Sequence, residues 1–329
     1  LRVLNFFYML AGASMTVSSL GYAVASGPGA GQNNGASTAG AGAHGGRGVQ
    51  AGSPTVLGGD AYDSLTSPTD LGSGGGNGWN GGGGTGGGAV LINAGTFALN
   101  GLISANGGIP TAATAGAGGG GGTINLVAAT LSGTGTLQAN GGSGHGNGGS
   151  GGGGRIAINV SGADTSGLTL SALSGVAPYS AAGTIYKQSG GQTILTVSNG
   201  ANVTTLDTII SSAIAGTQEF SVSTLSLTNS QVTFSSGASR AALVIQSSAT
   251  FSGTSLLAVA SMTVGNLRLT ANVTLQQNST TPLTIGSLTM LNSSTVTHAA
   301  NSSTRLYGVN LNVAGNLDML AGASFEASG

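Results

Sequence analysis

The sequence predicts an all-β chain wound as an elongated parallel β-solenoid (β-helix), with long glycine-rich insertions and almost no helix. Three observations predict it. Apolar residues alternate with polar ones over short stretches, Gly and Asn recur between those stretches, and related stretches return along the chain. Alternation at period two is the pattern of half-buried strands. No stretch sustains a 3.6-residue period, and a mixture of Thr, Val, Gly, Ser and Asn favours extended structure over helix.

Composition narrows the function classes. Of 329 residues 64 are Gly, none is Cys, 5% are charged and the net charge is −1. An ordinary domain is about 7% Gly and about 25% charged. With 39% hydrophobic residues, this is not the charge-rich, apolar-poor composition of a disordered chain. Arg2, Arg47, Arg155, Lys187, Arg240, Arg268 and Arg305 are scattered. Nucleic acid needs a basic stripe, so it is excluded as a partner. No span of about 20 apolar residues is present, so no membrane insertion by helix is expected. Lack of Cys removes disulfides and thiolate chemistry.

The first element is residues 1–20. Arg2 followed by "VLNFFYMLAGASM", with Ala23-Val24-Ala25 beyond it, has the outline of an export signal. Yet "LNVAGNLDMLAGASF" at residues 311–325 repeats it, and "MLAGAS" is identical at Met9–Ser14 and Met319–Ser324. That return makes the opening run a packed strand. It also suggests that the chain is one repeat of about 310 residues in a larger protein, two similar coils within one solenoid being the alternative.

Residues 21–175 form a glycine-rich part. Here "GTFALNGLISANGG" (Gly95–Gly108) aligns with "ATLSGTGTLQANGG" (Ala129–Gly142), and each follows an alternating strand. Asn106 and Asn140 hold equivalent corner positions, where stacked Asn side chains can bond along the axis. Runs such as Gly116–Gly122 exceed what corners require. They are either loops extruded from the coil or extended segments bonded laterally through their backbones. From Leu71 to Gly154 there is no Asp, Glu, Lys or Arg, which favours ordered packing over solvated loops. Residues 176–329 are rich in Ser, Thr and Asn. Val222/Leu225/Leu227, Val259/Met262/Val264 and Ile285/Leu288/Met290 mark recurring strands there.

Several segments resemble repeats of filamentous-haemagglutinin-type and autotransporter adhesins: "GTFALNGLISANGG", "GGTINLVAATLSGTGTLQANGG" and "LNVAGNLDMLAGASFEASG". The chain is also similar to very large, glycine-rich secreted repeat proteins with "GGGGRIAI"-type segments. The resemblance implies a right-handed parallel β-solenoid on a bacterial surface.

Candidate chemistry is sparse. Asp60, Asp63 and Asp70 share one loop, where carboxylates with backbone carbonyls can ligate calcium or act in pairs on a sugar; otherwise they are turn residues. His44, His145 and His298 are far apart and are expected in loops or at the surface. The Gly116–Gly121 run precedes a strand and no helix, so its glycine spacing does not make a phosphate cradle. Trp79 amid glycines can stack on a carbohydrate ring or on a neighbouring chain, or equally plug the side of the solenoid. Phe6, Phe7 and Tyr8 are consecutive, so alternation exposes at least one as an interaction residue. The reading is a non-enzymatic structural protein of the cell surface or secreted space, self-assembling into a stalk, sheath or fibre. A glycan-binding adhesin is the alternative, and a polysaccharide-active β-helix enzyme comes third.

Overall fold

The structure is a computed structural model that describes residues 1–33, 38–49, 56–79, 82–111, 115–176, 179–210, 219–234 and 242–327. The chain is all-β. Among the described residues there are strands and no helix.

The first half carries β1 (Arg2–Met9), β2 (Ser14–Thr16), β3 (Ala89–Leu99), β4 (Leu102–Ser104), β5 (Thr123–Ser132), β6 (Thr136–Gln138), β7 (Arg155–Val160), β8 (Thr169–Ser171) and β9 (Thr184–Ser189). The second half carries β10 (Gln192–Ser198), β11 (Asp207–Ile209), β12 (Glu219–Thr228), β13 (Gln231–Phe234), β14 (Ala242–Ser252), β15 (Leu256–Val259) and β16 (Met262–Leu269). It continues with β17 (Thr274–Gln277), β18 (Leu283–Met290), β19 (Thr295–His298), β20 (Leu311–Val313), β21 (Leu317–Met319) and β22 (Ser324–Phe325). Strands alternate between sheets. A 12-stranded sheet runs β1-β3-β5-β7-β9-β10-β12-β14-β16-β18-β20, with β21 also on β18. A four-stranded sheet takes β2-β4-β6-β8, and a six-stranded sheet takes β11-β13-β15-β17-β19-β22.

Pairing is parallel except between β9 and β10. Parallel register places each inward apolar side chain on its equivalent in the next strand. Leu227, Phe251, Leu269, Met290 and Met319 make one column. Val232, Leu257, Leu275, Val296 and Phe325 make its counterpart in the six-stranded sheet. In the first half, Ile92, Leu126 and Ile158 align, and Phe7 stacks on Phe97 with centroids 4.9 Å apart.

The halves join at the β9–β10 hairpin, whose turn residues Gly190 and Gly191 hold φ of 57° and 74°. Glycine enters that region at no steric cost, and two such residues in succession make a tight hairpin turn. Strand direction reverses there, and so does the buried face of the large sheet. Ile185 belongs to the core of the first half, whereas its neighbour Tyr186 joins the core of the second, opposite Leu195. Successive strand residues point to opposite faces, so β9 contributes to both cores.

Glycine runs are ordered by a different rule. The N–H groups of Ala117 and Gly120 donate to Gly76 and Ser73, at 3.1 and 2.8 Å. Those of Gly118 and Gly121 donate to Gly149 and Gly152, at 2.8 and 2.9 Å, and those of Gly119 and Gly122 to Gly108 and Ala105, at 3.0 and 2.7 Å. Every third amide thus reaches the same neighbouring segment. The carbonyls do likewise: Ala117 and Gly120 accept from Gly84 and Gly87, at 2.8 and 2.9 Å. Three residues per turn with no internal hydrogen bonds is polyproline-II-like geometry. It turns successive amides toward three different segments. An added Cβ would sit 2.0 Å from the Thr85 carbonyl oxygen at Gly119, 2.4 Å from that of Ala43 at Gly120, and 2.3 Å from that of Ala139 at Gly121. Side chains are therefore excluded in all three directions.

Asn106 and Asn140 bridge neighbouring corners, but from side chain to backbone. Asn106 Oδ1 accepts the Asn140 N–H at 2.8 Å, and Asn140 Oδ1 accepts the Leu173 N–H at 2.8 Å.

Gly120→Ala is expected to cost about 2 kcal/mol or more by overpacking. Gly167→Ala, whose Cβ would lie 3.8 Å from the Thr134 side chain, should be nearly neutral. Denaturant unfolding of the two variants measures the difference.

Candidate functional site

Several ionisable side chains are drawn together in the loop of residues 60–71 and the groups beneath it. Asp63 holds φ of 70°, a left-handed conformation that Asp tolerates. Its carboxylate accepts the N–H groups of Ser64, Thr69 and Asp70, at 2.7, 2.9 and 2.9 Å. One side chain thereby closes the loop. The loop's carbonyls then take side chains from the large sheet. Tyr62 accepts from Arg155 Nε at 2.8 Å, Thr66 from Asn159 at 3.2 Å, Pro68 from Asn125 at 3.0 Å and Asp70 from Thr123 at 2.7 Å. Leu65 is fully buried in the second-half core.

His44 lies beneath Asp63. It was expected in a loop or at the surface, and it is completely buried. Its Nδ1 faces the carbonyls of Gly121 and Gly122 at 3.0 and 3.2 Å, and its Nε2 faces Asp63 Oδ2 at 3.3 Å. The ring lies 4.9 Å from Tyr62, whose hydroxyl bonds to Leu71 and Ser73. Arg155 is equally buried. Its Nη1 donates to Thr184 Oγ1 at 2.9 Å, and Nη2 has no protein partner. Burial pulls the Arg155 pKa down to about 10, against the opposing pull of Asp63 and Tyr62. For Asp63, burial alone would raise the pKa. The hydrogen bonds from His44, Asp70 and Ser64 outweigh it and hold the group at about 2.

The arrangement is closed. Both ring nitrogens of His44 and the Asp63 carboxylate are committed to internal partners, and His44 and Arg155 are sealed from solvent. It can clasp the glycine layers to the sheet; it offers no open face to a substrate. Asp60 and Asp70 lie elsewhere in the network. Asp60 pairs with Arg47 at 2.9 Å, Arg47 also reaches Asp207 at 3.1 Å, and Asp70 accepts the Tyr22 hydroxyl at 2.8 Å. The three aspartates singled out as candidate calcium ligands or turn residues thus serve separate partners. Among the described residues no three His, Cys, Asp or Glu side chains gather as a metal would require. The sequence reading missed His44 and Arg155. The available signal was Arg155 itself, the first charge after a long uncharged stretch and the start of an apolar strand.

The interaction residues are at the surface. Trp79 is 74% exposed, and Phe6 and Tyr8 are 60% and 62% exposed with rings stacked 5.8 Å apart; Phe7 turns inward onto Phe97. A separate open cavity of about 330 Å³ is lined by His298, Asn301, Arg305 and Tyr307. No protein-family model, curated protein or solved structure matches the chain.

The Asp63 pKa sets a pH test. A carboxylate whose pKa falls on folding stabilises the folded state above its unfolded value and loses that contribution as pH drops through its folded value. Replacing Asp63 by Asn should cost about 2 kcal/mol at neutral pH. The difference from the parent chain should vanish between about pH 4 and pH 2. Urea unfolding across that range checks it.

Proposed function

We propose that the chain is a structural segment of a large extracellular protein. In this reading it is a parallel β-solenoid flanked by glycine layers, and it builds a stalk, sheath or surface fibre by stacking on further copies. One observation carries the reading: the apolar columns run through successive strands to β1 at one edge of the large sheet and to β20 and β21 at the other. Parallel strands that alternate between facing sheets support a coil. So does the β9–β10 hairpin. Strand direction and core side reverse together there, which leaves the sense of winding unchanged. Eleven strands in line at about 4.8 Å give a ladder of about 50 Å. Open sheet edges favour association with further strands. Secretion accords with the resemblance to secreted repeat proteins.

The adhesin reading is favoured by one feature, the exposure of Trp79 beside the glycine layers. An indole with a free face suits stacking on a sugar ring.

Solution scattering over a concentration series tests the structural reading. Particles should lengthen at constant cross-section. A monodisperse monomer at every concentration, with the radius of gyration of about 20 Å expected for a compact chain of this length, overturns it. A glycan panel tests the alternative: Trp79→Ala should abolish sugar binding and leave assembly intact.

A further inference from the structure

The first and last rungs are the same object. Residues 9–14 and 319–324 share one sequence. They also share one corner: Gly12 and Gly322 hold φ of 83° and 82°. The N–H of Ala13 donates to Leu10 at 3.1 Å, and that of Ala323 to Leu320 at 3.0 Å. Val3, Phe7, Met9 and Met15 correspond to Val313, Leu317, Met319 and Phe325. What differs is the cover. In the first rung, β3 and β4 lie over these positions: Val3 pairs with Ala94, Phe7 with Phe97, Met9 with Leu99 and Met15 with Ile103. Met9 is 7% exposed as a result. In the last rung, Leu317, Met319 and Phe325 are 47%, 41% and 41% exposed.

We infer that the last rung docks the β3–β4 rung of a second copy of this unit, in the register the chain already uses on its first rung. Ala94 then pairs with Val313, Phe97 with Leu317, Leu99 with Met319 and Ile103 with Phe325. One rung is shared at each junction, because residues 311–325 stand where residues 1–15 would stand in the next copy. The inference rests on the stacking reading above and adds to it a partner surface and a register.

Cysteine pairs test the register, since the chain has no Cys of its own. In a tandem chain, residues 1–325 run directly into residues 16–329 of a second copy. Tyr8 pairs with Ala98 and Phe6 with Thr96, so Asp318→Cys in the first copy should form a disulfide with Ala98→Cys in the second. It should not form one with Thr96→Cys, two residues out of register and beyond disulfide reach. A parallel experiment uses the single full chain carrying Asp318→Cys and a peptide of residues 89–104. The peptide with Cys at position 98 should be captured at least tenfold faster than the peptide with Cys at 96. Equal capture, or capture only at 96, overturns the inference, as does a tandem chain that forms neither disulfide. Scattering separates the two readings. In-register disulfides in a tandem particle no longer than the single chain sink the stacking reading and leave the register standing. A lengthened particle without the disulfide does the reverse.

Discussion

Most buried backbone amides and carbonyls of the described residues find a partner on another segment, because those residues include no helix to satisfy them locally. Two solutions coexist. In the sheets, parallel ladders pair strand with strand and leave side chains free to alternate between core and exterior. In the glycine layers, amides turn through three directions and bond to three neighbouring segments. The first arrangement admits Val, Ile, Leu and Phe on alternate positions. The second admits almost no side chain, because every direction is already occupied by backbone. The uneven distribution of glycine along the chain follows from which of the two rules governs each stretch.

The clasp built on Asp63 is where the two regimes meet. His44 belongs to a glycine segment, Arg155 opens β7, and the loop of residues 60–71 spans the outward side chains of β5 and β7. The same loop inserts Leu65 among second-half residues, and Arg47 extends an ion pair to Asp207 at the start of β11. Arg47, Asp60, Asp63, Asp70, Arg155 and Asp207 all lie in or beside this junction. Backbone complementarity alone does not specify which surfaces should meet there, and directional ion pairs and hydrogen bonds do.

Much of this was legible in the sequence. Alternation located the strands, and the uncharged stretch from Leu71 to Gly154 pointed to ordered glycine packing. The repeated "MLAGAS" marked two equivalent segments, and the structure shows that both turn a corner at Gly12 and Gly322. The β9–β10 reversal was written as "SGGQ", two glycines between alternating runs, but a parallel reading of the whole chain passes over a single hairpin. Burial of His44 was not legible. Its partners Asp63 and Gly121 lie 19 and 77 residues away, and no local pattern connects a lone imidazole to a carbonyl at that distance. Phe6 and Tyr8 illustrate the middle ground. Alternation required exposure of one aromatic in the triplet, while the choice of which faced the core fell to the register of Phe7 on Phe97.

The threefold turning of the glycine segments imposes an arithmetic on how such a molecule can vary. In a strand, gaining or losing two residues preserves which side chains face inward. Within a run such as Gly116–Gly122 the conserved step is three. A duplication of one or two codons there would swing every later amide toward the wrong neighbour, whereas a duplication of three would only lengthen the segment.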